Sequence, residues 1–151
     1  MNQLNYKQMK KVVFATILIP ILNTSVYSRN DIKGTWLTDN GQTVIEIYQE
    51  NSTQFVGEIV WMEQSINEKG DPYIDKKNPD RSLRERPIMG LKILDNLVYQ
   101  NGKWYGSLYS PRRGRTVDAV LTMEDNNTIM VEVSYRGISR KQRWTRTVVS
   151  K

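Results

Sequence analysis

The stretch Arg115–Arg136, RTVDAVLTMEDNNTIMVEVSYR, decides the fold class. Val117, Ala119, Leu121 and Met123 occupy alternate positions, with Thr116, Asp118, Thr122 and Glu124 between or beside them. A strand sends successive side chains to opposite faces, so this alternation predicts one dry face and one wet face. The pattern repeats over Thr128–Arg136, where Ile129, Val131, Val133 and Tyr135 oppose Thr128, Glu132, Ser134 and Arg136. Asp125-Asn126-Asn127 between the two reads as a hairpin turn, because asparagine tolerates the positive φ of tight turns.

The same rhythm extends in both directions from this hairpin. Lys33–Thr38 stops at Asp39-Asn40-Gly41, Gln42–Gln49 stops at Glu50-Asn51-Ser52, and Thr53–Glu63 carries Phe55, Gly57, Ile59 and Trp61 on one face. Ile88–Leu94 and Leu97–Tyr99 give one or two strands. Gln100-Asn101-Gly102 turns into Lys103–Ser110, and Arg140–Val149 is the last strand. Helical periodicity is missing outside the first residues. About eight or nine short antiparallel strands on one small domain predict a barrel or sandwich, and a meander of hairpins favours a single up-and-down β-barrel, which removes exposed edges. Gln64–Pro87 breaks the rhythm. A connection longer than ~12–15 residues is uncommon in a compact domain. Its Gly70-Asp71-Pro72 and Asn78-Pro79-Asp80 turns, and Asp80 as a cap for a helical turn through Leu83, predict one long ordered loop.

Residues 1–28 have a different character. Lys7, Lys10 and Lys11 precede an apolar run, Val12–Leu22, and then a short polar stretch ending Val26-Tyr27-Ser28. These are the three parts of a secretory signal. The run is about half the ~20 residues of a bilayer span. The expectation is therefore a cleavable signal peptide at 1–28, with Ser25 as the alternative cleavage point, and a barrel domain at 29–151. An exported protein, periplasmic or secreted, follows. There is no cysteine, so neither a lipid anchor nor a disulfide is expected. Removing the signal leaves 19 basic against 16 acidic groups, a mild excess that does not by itself call for a polyanion.

Two resemblances emerge from these segments. Gly34-Thr35-Trp36 opens the first strand and Arg143-Trp144-Thr145-Arg146 lies in the last. This resembles the lipocalin pattern, in which a Gly-x-Trp tryptophan closes one barrel end beneath an arginine from the last strand. Gly34, Trp36 and either Arg143 or Arg146 are the barrel-closing candidates it implies. The mature chain is also similar to a family of small exported bacterial proteins of unassigned function with a lipocalin-like barrel. The matching residues are Gly34-x-Trp36, Val44–Tyr48, Gly57–Trp61, Asp75-x-x-Asn78-Pro79-Asp80, Leu83-Arg84-x-Arg86-Pro87-Ile88-x-Gly90-Leu91, Trp104–Gly106 and Arg143–Arg146. That resemblance implies a fold and a compartment but no activity. One departure stands out: after Thr116, in the seventh strand by this count, such proteins often have an aromatic, and here Val117 would enlarge or re-line a cavity.

The chain has neither histidine nor cysteine. This removes the Ser-His-Asp triad, the cysteine nucleophile and the usual zinc sites, and with them the side chain best suited to proton transfer near neutral pH. No catalytic residue, cofactor or metal is expected. Glu63, Glu68, Asp71, Asp75 and Asp80 lack calcium-loop spacing and are interrupted by Lys69, Lys76 and Lys77, so they read as solvated turn formers. Asp75, Asn78, Asp80, Pro87 and Gly90 are expected to hold the long loop together. Arg81, Arg84 and Arg86 either pair with those acids or clamp an anion at the barrel mouth. Arg112, Arg113 and Arg115, with Arg136, Arg140, Lys141 and Arg143, form a basic rim; export argues against nucleic acid as its partner.

The expected function is a non-enzymatic binding protein holding a small hydrophobic or amphipathic ligand. Its wall would be Phe55, Ile59, Trp61, Trp104 and Leu108, with Arg84 and Arg86 on the lid. Gly57 and Gly106 among these residues leave either a cavity or a tightly curved, filled core, and the two stand equal. An envelope protein-interaction module using the arginine-rich loop is the alternative, with peripheral envelope contact as a partner. An enzyme built on carboxylate, tyrosine or arginine chemistry ranks third.

Overall fold

The computed structural model describes residues 31–149. The expected signal peptide at 1–28 lies outside the described residues. Eight strands follow in chain order: β1 (Gly34–Leu37), β2 (Thr43–Gln49), β3 (Gln54–Met62), β4 (Lys92–Gln100), β5 (Lys103–Ser110), β6 (Arg115–Asp125), β7 (Thr128–Tyr135) and β8 (Ile138–Arg146). Each pairs antiparallel with its neighbour, and β1 closes onto β8 through Trp36 opposite Arg146 and Leu37 opposite Thr145. The result is a closed up-and-down barrel with no free sheet edge. Among the described residues the one helical element is a 3-10 turn, Arg81–Leu83, inside the long β3–β4 connection.

The boundaries that differ from the sequence expectation by more than one residue lie in β4 and β8. Ile88–Leu94 and Leu97–Tyr99 merge into β4, which starts later, at Lys92. Asn96 adopts φ 53 and is the extra residue of a bulge between the Asp95–Ser107 and Val98–Tyr105 pairs. The bulge lets Leu94 and Leu97, three apart, both reach the interior. It also presses Asp95 and Asn96 carbonyls onto β5, where a Cβ at Gly106 would lie 2.6 Å from the Asp95 oxygen. The last strand begins at Ile138 rather than Arg140. Arg136 (φ 50) and Gly137 (φ 79) form a two-residue turn whose paired positive φ values match the twist of the hairpin. It ends at Arg146, short of Val149.

The core fills one half of the barrel. Trp36, Trp104 and Trp144 are buried there with Ile45, Ile47, Leu94, Leu97, Leu121, Ile129 and Val131. Burying an aromatic or branched side chain contributes ~1.5–3 kcal/mol, so this end carries most of the cohesion. A Cβ at Gly57 would already meet Leu94 and Ile45 at 2.9–3.0 Å. The strand glycines therefore admit close packing, and of the two readings of Gly57 and Gly106 the filled core holds.

Candidate functional site

The two barrel ends differ in how their inward faces are filled. At the filled end, Ile32 lies across the opening, fully buried, and its carbonyl accepts a hydrogen bond from Trp36 Nε1 at 2.9 Å. The Arg146 guanidinium lies over the Trp36 ring, 4.2 Å from its centroid. It donates to three carbonyls: Asn126 at 2.7 Å, Lys33 at 2.7 Å and Asp31 at 3.1 Å. One side chain thus ties the β6–β7 turn to the chain entering β1. Gly34 makes room for it, since a Cβ there would meet the guanidinium at 2.5 Å. Arg143, the other barrel-closing candidate, points outward. It forms an ion pair with Glu124 at 2.7 Å, because positions 143 and 146 fall on opposite faces of β8.

The long loop is organised around a buried carboxylate. Asp75 accepts from Asn78 Nδ2 at 2.7 Å, the Tyr109 hydroxyl at 2.7 Å, and Arg86 Nε and Nη2 at 3.2 and 3.0 Å. Burial pushes the Asp75 carboxyl up, but the hydrogen bonds from Asn78, Tyr109 and Arg86, with the Arg86 charge, outweigh it and hold the group below its ordinary value. Burial, followed by the Asp75 carboxylate, pushes the Tyr109 hydroxyl up to about 12. Arg84 Nε donates to the Asn78 carbonyl at 2.7 Å. Asp80 caps the 3-10 turn by accepting from Ser82 N at 2.9 Å. Pro87 bridges to Ile74, and Gly90 N donates to the Ile59 carbonyl at 2.9 Å, returning the chain to the barrel wall. Gly114 lies against Lys77 so closely that a Cβ would overlap the Lys77 carbonyl, and this docks the loop on the β5–β6 turn. Among the described residues no three carboxylates converge as metal ligands would.

At the other end the inward faces of β5–β8, with Asn40 of the β1–β2 turn, line an open cavity of about 610 Å³. Leu108, Val117 and Val133 supply its apolar part, with Gln142 from β8 beside them. Arg112, Arg113, Arg115 and Arg140 line it toward the mouth, together with Tyr135. Arg115 stacks on Tyr135, 4.1 Å from the ring centroid. Its Nε is buried and has no hydrogen-bond partner among the described residues. None of the lining residues is acidic.

Of the seven residues expected to touch a ligand, Leu108 alone lines this cavity. Ile59 and Trp104 belong to the filled core, and Phe55 packs against it. Trp61 lies outside the barrel, 38% exposed. An irregularity between the Ile45–Ile59 and Val44–Trp61 pairs inserts Val60 and reverses the alternation, so Trp61 no longer shares a face with Ile59. Arg84 and Arg86 do not line the cavity; their hydrogen bonds stay within the loop. Val117, which the family resemblance marks as re-lining a cavity, does line it. The lining that sequence reasoning missed is Val133 of β7 and Gln142 of β8; Val133 was visible as an inward position, but nothing in its spacing separates cavity wall from packed core. Lys141 and Arg143, grouped with the basic rim, turn outward to Glu132 and Glu124.

A family model described as "Uncharacterized protein conserved in bacteria (DUF2147)" matches residues 34–146. Among solved structures, protein HP1028 from the human pathogen Helicobacter pylori, described as belonging to the lipocalin family, superposes with a TM-score of 0.66. The two are 19% identical, with 78% of this chain and 84% of that one covered, which establishes a shared lipocalin-like fold. No curated protein matches the chain.

Proposed function

The chain belongs to this uncharacterized bacterial family, and from its geometry we propose that it is an exported, non-enzymatic protein that carries a small hydrophobic or amphipathic ligand in the open half of its barrel. The observation that carries the reading is the cavity between Leu108, Val117 and Val133. Its volume of about 610 Å³ lies within the ~300–1,000 Å³ usual for small-molecule sites. The opposite half is filled by three tryptophans, so a ligand enters through the arginine-lined mouth and stops at the Leu121–Val131 layer. Absence of histidine and cysteine favours carriage over chemistry. The basic, apolar and polar order of residues 1–28 supports export.

The test is binding of the neutral fluorophore N-phenyl-1-naphthylamine to the wild-type domain and to Val117→Phe and Val133→Trp, each checked for its barrel by circular dichroism. Saturable fluorescence enhancement by the wild type, weakened at least about tenfold in either folded variant, is expected. Equal binding by all three proteins would place the ligand elsewhere and overturn the reading.

A further inference from the structure

Carriage leaves open which ligands the mouth selects, and the charge distribution there is specific. Four arginines share one cavity with no carboxylate among the residues that line it. Elsewhere in the described chain several basic groups pair with acids: Lys92 with Glu50, Lys141 with Glu132, Arg143 with Glu124 and Arg86 with Asp75. Among the described residues none of the mouth arginine side chains, of Arg112, Arg113, Arg115 and Arg140, forms an ion pair or a hydrogen bond; the backbone N–H of Arg113 is taken up by the Ser110 carbonyl at 3.0 Å. Arg115 is further set apart. Its Nε is buried without a partner, and its Cζ lies over the Tyr135 ring, 4.1 Å from the centroid. Buried donors in native proteins are nearly always satisfied, so an orphaned charged donor on a residue that lines a cavity needs an explanation. A planar guanidinium matches a carboxylate or phosphate in two parallel hydrogen bonds. Below it, Leu108, Val117 and Val133 offer only apolar surface.

Resting on the carriage reading above, we propose that the barrel selects a single-chain anionic amphiphile. Its carboxylate or phosphate head is held by Arg115 with Arg140, Arg112 and Arg113, and its hydrocarbon chain lies against Leu108, Val117 and Val133. Tyr135 positions Arg115 by stacking. The head stays at the water-accessible rim and the chain leaves water, so each part of the ligand meets its own kind. The mutual repulsion of the unpaired guanidinium groups is relieved on binding, which makes occupancy favour an anion over a neutral analogue of equal length.

Isothermal titration of the wild-type domain with decanoate, decyl phosphate, decanol and inorganic phosphate, all below aggregation, tests this. The expected result is decanoate and decyl phosphate binding at least about tenfold more tightly than decanol, with inorganic phosphate weaker than decyl phosphate by a similar factor. Arg115→Gln and Arg140→Gln should each narrow the decanoate–decanol gap while leaving decanol affinity unchanged, and the comparison of ligands on the wild type stands if a variant does not fold. Decanol binding as tightly as decanoate overturns the anion preference and leaves carriage intact. Inorganic phosphate equalling decyl phosphate overturns the amphiphile and leaves a bare anion site. No binding by any of the four overturns this proposal, and failure of the neutral fluorophore as well would overturn carriage itself.

Discussion

Replacing Asp75 with asparagine tests how the long loop is held. The carboxylate is fully buried and receives four hydrogen bonds, three of them on Oδ2 from Asn78 and Arg86 and one on Oδ1 from Tyr109. In Asp75→Asn the amide can keep its carbonyl toward Asn78 and Arg86 while the Tyr109 hydroxyl turns to accept. Shape is preserved and charge is lost. Hydrogen bonds to charged groups contribute ~1.5–3 kcal/mol against ~0.5–1.5 for neutral ones, so each bond weakens by about 1 kcal/mol. Arg86 is 36% exposed and recovers part of its loss from water, which brings the total to about 2–3 kcal/mol. That is a large fraction of the ~5–15 kcal/mol stability of a domain.

The assay is urea unfolding followed by tryptophan fluorescence, repeated across pH. The Asp75 pKa is lowered in the folded state, so its contribution is complete above the ordinary carboxylate value of ~3.9 and disappears as pH falls through the lower folded value. The gap between wild type and Asp75→Asn should therefore be full at pH 7 and close in acid. A variant within ~0.5 kcal/mol of wild type at pH 7, or a gap that widens in acid, would refute the account of the loop.

Three further outcomes are expected. Arg146→Ala removes three carbonyl hydrogen bonds and the contact with Trp36, and should cost about 2–4 kcal/mol by urea unfolding, whereas Arg143→Ala, on the exposed face, should leave the melting temperature nearly unchanged. Gly114→Ala forces a Cβ into the Lys77 carbonyl at a residue with φ 62; proteolysis should then cut within 64–87 faster than in the wild type, and unchanged protection would contradict the docking. Expression of the full chain in a bacterial host should yield, outside the cytoplasm, a protein whose mass corresponds to residues 29–151; recovery of the uncleaved chain in the cytoplasm alone would contradict export.

The strands were legible because the period-two pattern of β6 and β7 survives almost unbroken, and the closure of β1 onto β8 was implied by the resemblance of Gly34-x-Trp36 and the last-strand arginines to the lipocalin pattern. Parity failed wherever a bulge intervened. Val60 and Asn96 look like ordinary strand residues, yet each shifts the chain by one position. The first sends Trp61 outside, and the second runs through the single strand that the sequence left as one or two. The loop acids were indistinguishable in sequence, since burial at Asp75 depends on Tyr109, 34 residues away. Beyond Val117, which the family resemblance marked, the cavity was hidden for a related reason. Val117 and Val133 differ from the packed Ala119 and Val131 only in how far along the barrel they lie. Arg115 and Arg140 read as rim charges, and their inward direction emerges only once the registers of β6 and β8 are fixed.

Native mass spectrometry of the protein, gently purified from its host's envelope fraction beside a folded Val133→Trp variant, tests ligand carriage most directly. The account predicts a reproducible added mass on the wild type, lost on denaturation and missing from the variant. A bare wild-type protein that also ignores the neutral fluorophore, or the same added mass on both proteins, would contradict it.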